Sequence, residues 1–117
     1  MKFIIHSILC LIPVTSAVAQ NISFPHDGLN RQYRIYVPDS LPKNAPLVMA
    51  LHGYGGNNNE MMNNYGWLDL AEDEGFVLVC PNGTRDQFNA RFWNVGYAFH
   101  SGVQVDDDGF LSALAIH

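Results

Sequence analysis

Polar and apolar residues alternate from Arg31 to Val37, with Tyr33, Ile35 and Val37 on one side and Gln32, Arg34 and Tyr36 on the other. That period of two predicts a half-buried strand, ended by Pro38. Two later runs do not alternate: Leu47-Val48-Met49-Ala50-Leu51 and Phe76-Val77-Leu78-Val79-Cys80. Short continuous apolar runs bounded by turn residues predict strands buried on both faces, as in a parallel sheet. The 24 residues between them suffice for a crossover helix. Met61, Met62, Tyr65, Leu68 and Ala71 recur there at helical spacing, and Gly75 stands where a helix would be capped. Asparagines at 57–59 and 63–64, with Gly66, predict a ragged start and a firm helix only from Trp67 to Glu74. The unit reads as β-loop-α-β.

The flanks are less regular. Gln20 to Asn30 is polar and turn-rich and reads as a leader into the fold, while Pro38 to Pro46 carries three prolines and reads as a loop. Residues 81–104 are polar and aromatic without a period, and a loop of more than about 15 residues usually has a function. Asp106 is then placed to N-cap a last helix with Phe110, Leu111 and Leu114 as its apolar positions.

Lys2, the apolar stretch Phe3 to Val14 and Ala17-Val18-Ala19 have the order of a secretory signal cut after Ala19. On that reading residues 1–19 are the signal peptide, the mature chain is secreted with no membrane anchor, and residues 20–117 form one domain. Five basic residues then face eleven acidic ones, which excludes nucleic acid and anionic lipid as partners. Hydrophobic residues make up 48% and charged ones 15%, the balance of a folded chain. Cys10 falls inside the signal, so Cys80 is left with no intramolecular disulfide partner.

His52-Gly53-Tyr54-Gly55-Gly56 follows the first buried run directly. No Gly-Lys-Ser/Thr follows it and the G-x-G-x-x-G spacing fails, so it is neither a phosphate loop nor a dinucleotide fingerprint. A glycine turn there matches the loop that supplies one oxyanion donor in α/β-hydrolases; a tight turn needing glycine for geometry alone fits equally well. Gln104 to Ala115 superficially resembles a calcium loop but lacks the leading carboxylate and the bidentate Glu, and Asp106, Asp107 and Asp108 read instead as a helix N-terminus. His100-Ser101 is read as solvated loop rather than base and nucleophile, because neighbours on a chain rarely face each other. His26, His52, His100 and His117 have no metal-ligand spacing. Phe92, Trp93, Tyr97 and Phe99 suit either an acyl or aromatic subsite or a small core plug.

Arg34-Ile35-Tyr36-Val37-Pro38, Leu47 to Gly56, Gly66-Trp67, Glu74-Gly75-Phe76-Val77, Pro81-Asn82-Gly83-Thr84, Arg91-Phe92-Trp93-Asn94 and Val105 to Leu111 occur in that order. As an ordered set they resemble the N-terminal part of the secreted esterase family that includes polyhydroxybutyrate depolymerases and feruloyl esterases. The resemblance implies a partial α/β-hydrolase fold, three-layered with a mainly parallel sheet. It also implies a Ser-His-Asp mechanism with no metal or cofactor, and an ester substrate, either a polyester or a plant-wall feruloyl ester. Tyr54 N–H would then be an oxyanion donor, His52, Gly53, Gly55 and Gly56 would support the turn, and Phe92 and Trp93 would line the substrate site.

The family's G-x-S-x-G is not found around Ser23, Ser40, Ser101 or Ser112. The chain therefore reads as an N-terminal piece that holds half an oxyanion hole and no triad. Its sheet would lack the next strand, leaving an apolar edge open to self-association. Cysteines that family members often carry at the positions of Tyr54 and Ala98-Phe99 are replaced here. The competing reading is a secreted, non-catalytic binding module that uses the 82–104 loop.

Overall fold

Residues 19–117 are described by a computed structural model. The signal assigned to residues 1–19 lies outside that range, Ala19 excepted. Two antiparallel strands open the described chain, β1 (Gln20–His26) and β2 (Leu29–Tyr36), in register from Gln20 opposite Ile35 to His26 opposite Leu29. The first of them corrects the expectation of a polar leader. Ile22, Phe24 and His26 alternate inward, and Asp27-Gly28 forms the tight turn with φ of 50° and 76°. Two consecutive positive φ values define the hairpin turn that strand twist favours, and glycine takes the second without a Cβ clash. Pro25 is tolerated because β1 lies at the sheet edge.

Strand β3 (Leu47–Met49) and strand β4 (Val77–Pro81) complete a four-stranded sheet in the order β1-β2-β4-β3. Only β3 and β4 run parallel; β1–β2 and β2–β4 are antiparallel. The sheet is thus mixed, and the expected mainly parallel sheet is corrected, because the hairpin adds two antiparallel neighbours to the single crossover. Between β3 and β4 lie α1 (Asn58–Asn64) and α2 (Trp67–Glu74). Asn57 caps α1 by accepting the Glu60 N–H, so the asparagine-rich stretch begins a real helix rather than fraying. Gly75 ends α2 at φ 73°, its N–H donated to Ala71 O, as the sequence predicts.

Helices cover both faces of the sheet. Leu78 and Cys80 of β4 point to α1 and α2, packing with Ala50, Met62, Ala71 and Phe76. Val79 points the other way, with Tyr33, to Phe110 and Leu114 of α3 (Asp107–Ile116). Burial pushes the Cys80 thiol up to about 12, which makes it a packing group rather than a nucleophile. Strand β2 is half-buried, with Arg31 and Tyr33 buried on one face and Gln32, Arg34 and Tyr36 part-exposed on the other, and Val37 has left it for solvent. The expectation for β3 is corrected. Leu47 is 45% exposed and Leu51 41%, because β3 is the last strand at its end of the sheet.

The N-terminus of α3 is tied to β2 by a buried ion pair. Arg31 donates to Asp107 across 2.6 Å, with side chains 3% and 4% exposed, and its guanidinium lies 4.0 Å over the Phe110 ring. The second Asp107 oxygen accepts the Asn94 N–H. Asp106 performs the predicted cap, accepting Gly109 N–H, and also meets His26. Asp107 is therefore a strand-to-helix clamp, not a solvated acid at the helix dipole.

Candidate functional site

The glycine turn leaves the carboxyl end of β3, where a parallel pair opens toward a ligand. His52, 4% exposed, holds it from below. Its Nε2 accepts the Gly83 N–H at 2.9 Å, so the proton sits on Nδ1, which donates to Gly53 O at 2.7 Å. Burial lowers the proton affinity of this imidazole, which keeps it neutral and in that tautomer. Gly83 has to be glycine, since a Cβ there would stand 2.1 Å from Phe92 O.

A short hairpin, β5 (Thr84–Arg85) and β6 (Arg91–Phe92), holds the turn from the side. Gly55 N–H donates to Arg91 O at 2.8 Å and Gly56 N–H to Gly53 O at 3.0 Å. Trp93 Nε1 donates to His52 O, and its ring lies 5.1 Å from the His52 ring. Among the described residues the Tyr54 N–H has no acceptor. The turn is thus anchored at Gly55 and Gly56, while the N–H groups of His52 and Gly53, like that of Tyr54, have no acceptor among the described residues.

Tyr54 is 56% exposed at the rim, and its phenol donates to Asp86 Oδ2 at 2.6 Å. The same oxygen accepts His100 Nε2 at 3.1 Å, while Oδ1 accepts the N–H groups of Phe88 and Ala90. With the Tyr54 phenol, then His100 and the two amides, holding its charged form, the Asp86 carboxyl falls to about 2. His100 is buried between Phe92 and Phe99, ring centroids 4.0 and 4.1 Å away. The expectation of a solvated loop at His100 is corrected: the short 3-10 turn Ala98–His100 drives the ring under Tyr54. Tyr54 and Phe99, two of the positions where relatives were expected to carry cysteine, touch edge-to-face at 5.9 Å.

Together these residues enclose a cleft of about 290 Å³ lined by His52, Gly53, Tyr54, Phe92, Trp93, Val95, Tyr97 and His100. The structure brings Tyr54, His52, Gly53, Phe92 and Trp93 to one place, with Gly55 and Gly56 behind the turn. Asp86 and His100 were missed. The only signal for them was the Asp86–Ala90 span, where an acid two and four residues before backbone N–H groups forms its own turn. Chemically the cleft offers an apolar slot with the Tyr54 amide at its lip. Among the described residues no serine side chain is hydrogen-bonded to a histidine.

No protein-family model matches the chain. Individual relatives do. A bifunctional acetylxylan esterase/xylanase of Neocallimastix patriciarum is 41% identical over 56 residues, 48% of this chain and 8% of that protein. Feruloyl esterase B of Thermothelomyces thermophilus is 30% identical over 69% of this chain and 28% of its own length. Acetylxylan esterase A of Aspergillus oryzae is 28% identical over 78% of this chain and 29% of its own. The chain thus spans less than a third of these relatives. Its homologues are feruloyl and acetylxylan esterases at modest identity, which supports an ester-hydrolase family.

Proposed function

We propose that residues 20–117 form the oxyanion-turn and acyl-cleft portion of a secreted carboxylic ester hydrolase of the α/β-hydrolase kind. The observation that carries the reading is the Tyr54 N–H, without an acceptor among the described residues at the lip of an apolar cleft, on a turn anchored at Gly55 and Gly56. A preorganised amide of that kind stabilises charge only as it develops on the carbonyl oxygen, which lowers the barrier rather than the ground state. Phe92 and Trp93 would flank the acyl group, and His52 would hold the turn without acting as base. A serine and its histidine would supply the attack and the proton transfer. The aromatic lining and the names of the relatives favour a plant-wall feruloyl or acetyl ester over a polyester such as polyhydroxybutyrate.

A second reading has its own observation. Phe88, Val95, Tyr97 and Phe99 are more than half exposed on the 82–104 segment, as a non-catalytic contact surface would need. One experiment separates the two. Hydrolysis of methyl ferulate and p-nitrophenyl acetate is measured on the protein of the complete reading frame and on the 117-residue chain. Tyr54→Pro in the former should lower kcat by about 10²–10³-fold, the effect of losing one oxyanion donor. Tyr54→Phe keeps the amide and loses only the Asp86 bond, so it should stay within a few-fold. The 117-residue chain alone should not turn over either ester. Hydrolysis indifferent to Tyr54→Pro would overturn the oxyanion role, and no hydrolysis by the complete protein would favour the contact surface.

A further inference from the structure

On the other side of the β5–β6 hairpin lies a second cleft, of about 210 Å³, whose lining includes Arg31, Arg85, Arg91, Asn30, Gln32 and Thr84. The chain is acidic, with six Lys and Arg against eleven Asp and Glu, yet three of its four arginines line this one space. Arg85 and Arg91 are directly opposite in the ladder, so both guanidinium groups leave the same face of the hairpin. Like charges at opposed positions repel, and an ordinary hairpin avoids them. Burial, and the Arg85 charge beside it, push Arg91 below its ordinary proton affinity.

Among the described residues no carboxylate neutralises this pair. Arg85 uses Nη1 on Asn89 O and Arg91 uses Nη1 on Gly83 O, both uncharged acceptors. Among the described residues neither forms an ion pair with a carboxylate, whereas Arg31 does, through Nη2 and Asp107. Among the described residues the buried Nη1 of Arg31 has no hydrogen-bond partner. A buried guanidinium N–H without an acceptor and an uncompensated cross-strand cation pair are two independent costs. One oxyanion held between Arg85 and Arg91 would offset the second.

We propose that this cleft binds a small carboxylate carried on a hydroxyl-bearing ligand, of the sugar-acid class. The planar forks of Arg85 and Arg91 suit the two oxygens of a carboxylate. Asn30, Gln32 and Thr84 line the same cleft and bring polar groups beside it, as ring hydroxyls would need. The site is separate from the Tyr54 cleft and does not depend on ester hydrolysis. The two are nevertheless joined through the backbone, because Arg91 O accepts Gly55 N–H and Gly83 N–H holds His52.

The test uses the full chain, with glucuronate titrated in against glucose, acetate and inorganic phosphate at constant ionic strength, followed by NMR shifts and by the thermal midpoint. Glucuronate is expected to bind saturably, more tightly than acetate or phosphate, and glucose not at all. Arg85→Gln removes one charge-assisted contact and should weaken glucuronate by about tenfold to a hundredfold. It also relieves the repulsion, so it should not lower the midpoint in the absence of ligand, which separates lost binding from lost folding. Arg85→Lys should restore part of the affinity. Absence of saturable glucuronate binding, affinity unchanged in Arg85→Gln, or tighter binding of phosphate or acetate would each overturn the proposal. None of these outcomes touches the oxyanion reading, which is decided by kcat in the Tyr54 variants.

Discussion

Replacing Asp107 by Asn keeps the side-chain shape and one acceptor but removes the charge that faces Arg31. The pair is closed at 2.6 Å with both side chains almost fully buried. Arginine does not deprotonate in a protein, so the guanidinium would be left charged inside the fold. Its other protein contacts are weak substitutes: the Asn82 carbonyl at 3.3 Å and the Phe110 ring face at 4.0 Å. Breaking a buried pair from one side costs about 3–5 kcal/mol, and the retained amide and ring contact put Asp107→Asn near about 3 kcal/mol. Domains of this size are stable by only about 5–15 kcal/mol, so the loss should lower the thermal midpoint by about 12–24 °C. Urea unfolding followed by far-UV circular dichroism, at low protein concentration, measures it. The double replacement Arg31→Met with Asp107→Leu removes both charges together and should recover most of the loss. A loss below about 1 kcal/mol for Asp107→Asn, the size of an exposed pair, would refute the argument that this clamp is desolvated.

Neutral His52 holds the turn, and its proton affinity is lowered, so its contribution is complete above the ordinary histidine value of about 6.5 and is lost as pH falls below it. Unfolding midpoints from pH 7 to pH 5 should therefore fall more steeply in the wild type than in His52→Gln, and equal slopes would contradict this. The Asp86 carboxyl, lowered from 3.8 to about 2 chiefly by the Tyr54 phenol, stabilises the fold above the ordinary carboxylate range and ceases to do so as pH falls toward 2. Asp86→Asn should flatten that acid limb and free the Tyr54 and His100 rings, read as sharper, averaged aromatic NMR signals; unchanged ring signals would speak against the hub. The β3 edge, with Leu47 45% exposed, is expected to pair between copies, and Leu47→Lys should reduce the concentration-dependent association seen in sedimentation. A wild-type chain that stays monomeric at all concentrations would dismiss that edge.

What the sequence determined by itself is what short-range rules control. Helix α2 from Trp67 to Glu74, its Gly75 cap and the Asp106 cap of α3 depend on residues within a few positions of one another. The buried run at β4 was equally legible, since no polar residue interrupts Val77 to Cys80. Strand β1 is legible too, in the alternation of Ile22, Phe24 and His26 before Asp27-Gly28, although polar residues surround that pattern and give it the look of a leader. Only the tertiary structure decided which strand lies at the edge, because Leu47–Met49 and Val77–Cys80 have the same apolar character and differ in how many neighbours the sheet order gives them. It alone set Arg31 against Asp107, 76 residues away, and His100 against Asp86 across a hairpin. Periodicity records the environment of a residue but not the identity of its partner. Partners are chosen when the chain closes on itself, and the chemistry of both clefts is a matter of partners.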